Sequence, residues 1–94
     1  MQDDDFEWDD DKAVQNLAGH GVSFEAARLA FEDAFAVVRE DRRRNYGEDR
    51  FILLGMVQQR LLVVCYAMRD ERVRIISARF AEPRERRRYH EENS

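Results

Sequence analysis

The chain carries a set of cationic and titratable side chains that could act on RNA without a cofactor: Lys12, His20, Arg50, Arg74, Arg79, Arg86 and Tyr89. RNA supplies its own nucleophile, the 2′-hydroxyl. An enzyme must therefore only move protons and stabilise the charge that develops on the phosphorus centre. Planar arginine donors suit the second task, and a histidine or tyrosine suits the first. Trp8 or Tyr46 offers a surface on which a base could stack.

Many of the arginines lie in one stretch, from Arg72 to Tyr89. Pro83 divides it, because proline fits the first turn of a helix and an arginine-rich run follows. The residues before Pro83 alternate like a β-strand, with Val73, Ile75 and Ser77 on one side and Arg72, Arg74, Ile76 and Ala78 on the other. Such a strand and helix would carry guanidinium groups to the rim of a sheet, where they bind phosphate. A solvated arginine face on a terminal helix explains the same pattern.

Other kinds of site have less support from the sequence. The two histidines form no close-spaced metal-ligand pair, and the four glycines are scattered singly and make no phosphate-binding loop. Ser77 falls within the predicted strand, which favours a buried hydroxyl over a nucleophile. His20 follows a predicted helix, so a structural role at the helix end competes with a role in proton transfer.

The net charge of −4 conceals a strong segregation of charge along the chain. Residues 1–33 hold ten acidic and two basic side chains, whereas residues 39–88 hold fourteen basic and eight acidic ones. A basic working surface with an acidic end is compatible with binding nucleic acid, although surface solubility alone could produce the imbalance.

The length of 94 residues fits one small domain. We expect an acidic disordered start at 1–5, a domain core at 6–89 and a flexible tail at 90–94. No apolar run is long enough to cross a membrane, and the acidic N-terminus is unlike a secretory signal. The single cysteine, Cys65, lies in an apolar run, which predicts a buried structural thiol and fits a reducing cytoplasm.

Capping residues and periodicity predict the first half of the fold. After a short aromatic strand at 6–8, Asp9 caps a helix that ends at Gly21, with an apolar stripe of Val14, Leu17 and Ala18. Lys12, Asn16 and His20 recur on a neighbouring polar face of this helix. Ser23 caps a second helix, whose apolar stripe is Phe24, Ala27, Phe31 and Ala34.

The second half of the chain is predicted to form most of the sheet. A strand at 35–38 precedes strands at 50–57 and 60–68, which are joined by Gln58-Gln59 at a two-residue hairpin length. The latter two strands are apolar at nearly every position, so both of their faces should be covered. The fold class is therefore α+β, in the order β-α-α-β-β-β-β-α, with an antiparallel sheet packed by two N-terminal helices and a short C-terminal helix.

Several motifs together resemble the BrnT family. Phe6-Glu7-Trp8-Asp9 is similar to the family's opening signature, and it is followed in register by Lys12, Asn16, His20-Gly21-Val22-Ser23-Phe24-Glu25, Gly47-Glu48-Asp49-Arg50-Phe51, Arg74-Ile75-Ile76-Ser77-Ala78-Arg79, Glu85-Arg86 and Tyr89. The resemblance spans residues 6–89. Two positions depart from the family pattern: Gly19 replaces a basic residue before His20, and Gln58-Gln59 replaces a glycine-rich turn.

The resemblance implies a RelE-like fold and a ribonuclease toxin that arrests translation. It also implies neutralisation by a BrnA antitoxin with a ribbon-helix-helix DNA-binding part. Dimerisation of that part would give a complex of two toxins with two antitoxins, which contacts DNA only through the antitoxin. On this basis we expect metal-independent cleavage, with Arg79, His20, Tyr89 and Lys12 as catalytic residues and Arg50, Arg74 and Arg86 as RNA phosphate ligands. The alternative is a catalytically silent interaction or autoregulatory module of the same fold.

Overall fold

The elements follow one another in the predicted order. The computed structural model describes all 94 residues. Its elements are β1 (Phe6–Glu7), α1 (Asp10–His20), α2 (Phe24–Ala30), β2 (Val37–Asp41), β3 (Arg50–Val57), β4 (Arg60–Arg69), β5 (Arg72–Phe80) and α3 (Pro83–Glu92). None of the helices is long and apolar enough to cross a membrane.

The predicted helix ends are confirmed. The side chain of Asp9 accepts a hydrogen bond from the backbone N–H of Lys12, and Gly21 ends α1 with a φ of 72°. Ser23 caps α2 through the N–H of Ala26. The predicted stripe of α2 is wrong beyond Ala30, where the helix ends. Phe31 instead packs edge-to-face on Phe6 and Tyr66 from the following turn.

The five strands form one sheet in the order β1-β5-β4-β3-β2. The prediction of a fully antiparallel sheet is wrong at one edge, because the short β1 pairs with β5 in parallel. Strand β2 begins two residues later than predicted and continues through Arg39 and Glu40. As an edge strand with one neighbour, β2 can direct these charged side chains into solvent.

Two of the sheet's hairpins, β3–β4 and β4–β5, use tight turns without glycine. Gln58 and Gln59 have φ values of 48° and 69°, and Asp70 and Glu71 have values of 51° and 66°. Positive φ at both central residues is the type I′ geometry that matches the twist of a hairpin. The predicted two-residue connection at Gln58-Gln59 is therefore confirmed, although neither residue is a preferred one.

A β-bulge in β5 changes the predicted alternation. Tyr66 pairs with Ile75 and Cys65 pairs with Ser77, which leaves Ile76 without a partner on β4. The bulge reverses the direction of the side chains that follow it. Ile75 and Ala78 consequently share the core under α1 and α2, while Ser77 lies on the opposite face with Cys65. The prediction that Val73, Ile75 and Ser77 share one side is wrong for this reason.

Both faces of the sheet are covered, as predicted from the apolar strands. Helices α1 and α2 cover a core that includes Trp8, Phe24, Leu62, Val64 and Ile75. The C-terminal α3 covers a second core on the other face, formed by Ile52, Leu54, Leu61, Val63, Ala81 and Tyr89. Because α3 has only ten residues, it covers only part of that face.

Helix α1 docks through a polar residue. Asn16 is the buried residue of the helix, whereas Val14 and Leu17 are 69% and 52% exposed. Its side-chain amide donates to the carbonyls of Val22 and Ala78, at 2.9 and 2.7 Å, and its oxygen accepts from the N–H of Ala78 at 3.1 Å. The predicted apolar stripe is therefore wrong. The face of the helix that carries Asn16 packs against β5. There the Asn16 amide pairs with the backbone groups of Ala78, which lie beyond the part of β5 that β1 pairs with.

The ends of the chain make specific contacts. The side chain of Asp3 accepts hydrogen bonds from the N–H groups of Asp5 and Phe6 and pairs with Arg28. The N–H of Val73 donates to the carbonyl of Asp5. At the other end, Asn93 donates to the carbonyls of Phe35 and Tyr89.

We expect replacement of Asn16 by alanine to destabilise the fold by about 2–4 kcal/mol, because it leaves buried backbone groups of Ala78 and Val22 unpaired. Denaturant titration measures the effect. The matched control is Gln15→Ala, which removes an exposed polar side chain from the same helix and should change stability by less than about 0.5 kcal/mol. Equal effects of the two substitutions would contradict the role of Asn16.

The Tyr89 hydroxyl donates to Asp33, whose carboxylate also accepts from the N–H groups of Met56 and Phe35. Burial, this hydrogen bond and the charge of Asp33 raise the pKa of Tyr89 from 10.0 to about 12. The unfolded chain therefore loses the phenol proton first, and this contribution to stability is complete below pH 10 and is lost as the pH rises to 12.

We expect Tyr89→Phe to destabilise the protein by roughly 1 kcal/mol near neutral pH, because it removes the hydrogen bond to Asp33. The difference in unfolding free energy between parent and variant should shrink as the pH rises through the window from 10 to 12. Unfolding of both proteins across that range measures it. A difference that stays constant would mean that the phenol does not gain its stability from this contact.

Candidate functional site

The strand register places the polar residues of the face that carries α3 in successive rows. One row contains Asp41, Arg50, Ala67 and Arg74, with Glu7 on β1 beside Arg74. The next row contains Arg39, Ile52, Cys65 and Ser77, and the third contains Val37, Leu54, Val63 and Arg79. Helix α3 lies over the third row. The second row lies at the edge of this cover, with Ile52 buried in the second core and Cys65 and Ser77 only partly buried.

A depression of about 300 Å³ occupies this part of the face. Its polar lining comes from His20 at the end of α1, Arg39 on β2, Arg43 just after β2, Ser77 and Arg79 on β5, and Arg84 and Glu85 on α3. Ile52, Val63 and Cys65 form its floor. The site therefore combines the sheet, the end of α1 and the start of α3. Its lining contains four arginines and one glutamate.

Two of these arginines are held by carboxylates of the protein. Both terminal nitrogens of Arg79 donate to Glu85, at 2.9 and 2.8 Å, in the bidentate geometry that suits guanidinium and carboxylate. These hydrogen bonds lower the pKa of Glu85 and raise that of Arg79, so the pair stays charged. Arg43 makes a similar pair with Asp41, whose pKa these hydrogen bonds hold well below its ordinary value.

The other two arginines keep most of their donors free. Arg39 is exposed and has no carboxylate partner. Arg84 lies 3.9 Å from Glu82, too far for a hydrogen bond, and its side chain is 77% exposed. The free positive charge of the depression consequently comes from β2 and α3, on either side of the Arg79–Glu85 pair.

The structure brings two of the predicted catalytic residues together and places a third beside them. His20 and Arg79 both line the depression. Lys12 is exposed and lines a shallower concavity with His20, Asn16 and Ile76 next to it. The expected neighbourhood of Lys12, His20 and Arg79 therefore exists, and it depends on the docking of α1 through Asn16.

The remaining predicted site residues lie elsewhere. Arg50 and Arg74 lie two rows away from Arg79 and are paired with Glu48 and Glu7. Arg86 lines a different groove and donates to the carbonyl of Ala81. Tyr89 is buried in the second core and bound to Asp33. These four residues do not line the depression. Arg50 and Arg74 belong to a different row of the same face, Arg86 belongs to another groove, and Tyr89 belongs to the second core.

The two aromatic residues considered for base stacking differ in their environments. Trp8 is buried and packs edge-to-face on Phe24, so it offers no stacking surface. Tyr46 is half-buried, and the guanidinium of Arg50 lies 4.0 Å from the centre of its ring. The expectation for Trp8 is wrong, because that side chain completes the core under α1 and α2.

Sequence reasoning missed four charged lining residues and predicted that Cys65 is buried. The four are Arg39, Arg43, Arg84 and Glu85. The thiol is half-buried on the floor of the depression. The alternation of β2 could have placed Arg39 beside Ile52, but that strand was predicted to end at Val38. A different cavity of about 240 Å³, between α1 and the β3–β4 hairpin, is largely apolar. No cluster of three or more His, Cys, Asp or Glu side chains is suited to hold a metal ion.

We expect Cys65 to react with a small thiol reagent in the native protein, because it lines an open depression. An oligonucleotide bound there should slow the reaction. Labelling kinetics measured with and without a non-cleavable oligonucleotide, and with and without denaturant, provide the measurement. Labelling that occurs only after unfolding would contradict the position of the thiol on the floor of an open depression.

Comparison with known proteins supports one family for this chain. The family model described as ribonuclease toxin, BrnT, of type II toxin–antitoxin system matches residues 8–85. A comparison with curated protein sequences finds no significant match. The matched residues include most of the motifs that carry the resemblance, and they run from the residue after β1 to the first turn of α3. The chain therefore belongs to the BrnT family of ribonuclease toxins of type II toxin–antitoxin systems.

Proposed function

We propose that this chain arrests translation by cleaving RNA in the depression between α1, β2, β5 and α3. The observation that carries the proposal is the convergence of His20, Arg39, Arg79 and Arg84 on one concave surface. Convergent cations suit an RNA phosphate, whose binding depends mainly on charge. The 2′-hydroxyl of the substrate would act as the nucleophile, and the cleavage would proceed without a metal ion.

Arg79 would stabilise the charge on the phosphorane. Glu85 occupies both terminal nitrogens of Arg79 and fixes the plane of its guanidinium, so the pair would present a rigid group to the substrate. Arg39 and Arg84 would provide the free charge that attracts the phosphate. His20 would transfer a proton, with Lys12 beside it to stabilise negative charge. Tyr89 is not part of this mechanism, because its hydroxyl already donates to Asp33 in the second core.

The partner of a type II toxin is a protein antitoxin. We propose that this chain has a RelE-like fold and that its antitoxin is a BrnA-like ribbon-helix-helix protein. It would neutralise the toxin by placing carboxylates over the free arginines of the depression. Dimerisation of the antitoxin would join two toxins to two antitoxins. Contact with DNA would then occur only through the antitoxin.

One observation favours a catalytically silent module as the second candidate. Carboxylates of the protein already pair with Arg43 and Arg79, so half of the arginines lining the depression are neutralised. A surface of this kind could bind an acidic partner through Arg39 and Arg84 without catalysis. The two candidates differ in whether RNA is cut when the chain is expressed without its antitoxin.

We expect Arg79→Ala to abolish growth arrest on induction, because it removes the proposed phosphorane ligand. The matched control is Arg87→Ala, an exposed arginine of α3 that lines no cavity described above, and this variant should stay toxic. Growth and RNA integrity are scored at equal protein abundance. Toxicity of Arg79→Ala equal to that of the parent would place the site elsewhere.

Arg79→Ala also leaves the carboxylate of Glu85 unpaired, so a folding defect must be separated from a catalytic one. Glu85→Gln keeps the shape of the side chain and removes its charge. It should lower thermal stability while keeping part of the activity, whereas Arg79→Ala should lose activity beyond any loss of folded protein. Activities that follow the folded fraction in both variants would contradict a catalytic role for Arg79.

The role of His20 is tested by His20→Gln. If His20 transfers a proton, the variant should lose at least about a hundredfold in cleavage rate and one limb of the pH–rate profile, with little change in stability. If His20 only supports the end of α1, thermal stability should fall and the activity should follow the folded fraction. Thermal unfolding and single-turnover cleavage of the two proteins distinguish these outcomes.

A further inference from the structure

A second basic groove adjoins the depression. It has a volume of about 230 Å³ and is lined by Arg39, Leu54, Arg84, Glu85 and Arg88. Three of these residues, Arg39, Arg84 and Glu85, also line the depression, so the two concavities share a wall. Arg39 approaches from β2 and the other two arginines approach from α3. An RNA strand that leaves the depression between β2 and α3 therefore enters this groove directly.

The arginines of the groove have donors available for a ligand. Arg84 and Arg88 lie four residues apart on α3, hence on one face of the helix. The nearest carboxylate to Arg88 is that of Glu92, at 3.6 Å, and Arg84 and Arg39 have no hydrogen-bonded carboxylate. The one acidic residue of the groove, Glu85, is bound to Arg79. The groove consequently carries an excess of positive charge with unsatisfied N–H groups.

The lining also indicates which part of a nucleic acid would bind. Leu54 is its only apolar residue, and no aromatic side chain lines it. A base would find neither a stacking surface nor a set of paired donors and acceptors, whereas a phosphodiester would find guanidinium donors on two sides. The groove therefore suits the backbone of a strand and not its bases.

We propose that this groove is a second phosphate subsite, which binds the phosphodiester next to the one that is cleaved. The proposal rests on the proposed function, because it takes RNA as the substrate and the depression as the cleavage site. The subsite would make the affinity for RNA depend on the length of the RNA but not on its base sequence. Substrates with several phosphates would bind more tightly than a dinucleotide because they fill both concavities.

The experiment measures binding of fluorescein-labelled RNA that carries 2′-O-methyl groups and cannot be cleaved. A hexanucleotide and a dinucleotide are titrated by fluorescence anisotropy into the parent, Arg88→Ala and Arg87→Ala. The two variants remove the same charge from adjacent positions of one helix, but only Arg88 lines the groove. Circular dichroism and thermal unfolding are used to check that both variants are folded.

We expect Arg88→Ala to raise the Kd of the hexanucleotide roughly fivefold to tenfold and to reduce the slope of log Kd against log salt by about one. Arg87→Ala should change the Kd less than about twofold. The dinucleotide should bind both variants like the parent, and changes in base sequence should not alter the effect of Arg88→Ala. Arg39→Ala should weaken both ligands, because Arg39 lines both concavities.

Equal hexanucleotide affinities of Arg88→Ala and Arg87→Ala would overturn the subsite, whether or not the chain cleaves RNA. Loss of antitoxin binding in Arg88→Ala with unchanged hexanucleotide binding would also overturn it and would assign the groove to the antitoxin. Failure of the proposed function is a separate outcome, because the probe cannot be cleaved. In that case the parent would bind the hexanucleotide through Arg88 but leave ordinary RNA intact.

Discussion

The docking of α1 onto β5 through Asn16 is the interaction on which the candidate site depends. Strand β1 is only two residues long, so it cannot pair with the whole of β5. The amide of Asn16 pairs with both backbone groups of Ala78 just after the bulge. This contact fixes the end of α1, and hence His20, beside the strand that carries Arg79. A side chain in the interior of the structure thus determines the geometry of an exposed depression.

A second constraint comes from the strands themselves. Because β3 and β4 are apolar on both faces, the sheet needs a cover on each side, and α3 is too short to cover the whole of one. The start of α3 lies over the row of Arg79, where Glu85 binds that arginine. Arg39 and Ser77, in the neighbouring row, line the depression. The same helix therefore completes a hydrophobic core and forms one wall of a basic depression.

Much of the fold could be predicted because local signals agree with it. Asp9, Gly21, Ser23 and Pro83 mark helix ends through their own backbone preferences, and the apolar runs mark β3 and β4. The bulge at Ile76, the burial of Asn16 and the exposure of Val14 could not be predicted, since each results from pairing with a distant segment. These tertiary features decide which side chains line the depression. The predicted site was consequently correct in bringing His20 near Arg79 but incomplete without Arg39, Arg84 and Glu85.

We propose that RNA cleavage in this depression uses the 2′-hydroxyl of the substrate as its nucleophile. The most direct measurement is the chemistry of the RNA ends after incubation with the purified chain, followed by the same reaction on RNA with a single 2′-deoxy nucleotide at the cleaved position. Attack by the 2′-hydroxyl predicts a 2′,3′-cyclic phosphate and a 5′-hydroxyl, and no cleavage of the 2′-deoxy substrate. A 3′-hydroxyl with a 5′-phosphate, or cleavage at the 2′-deoxy position, would contradict it.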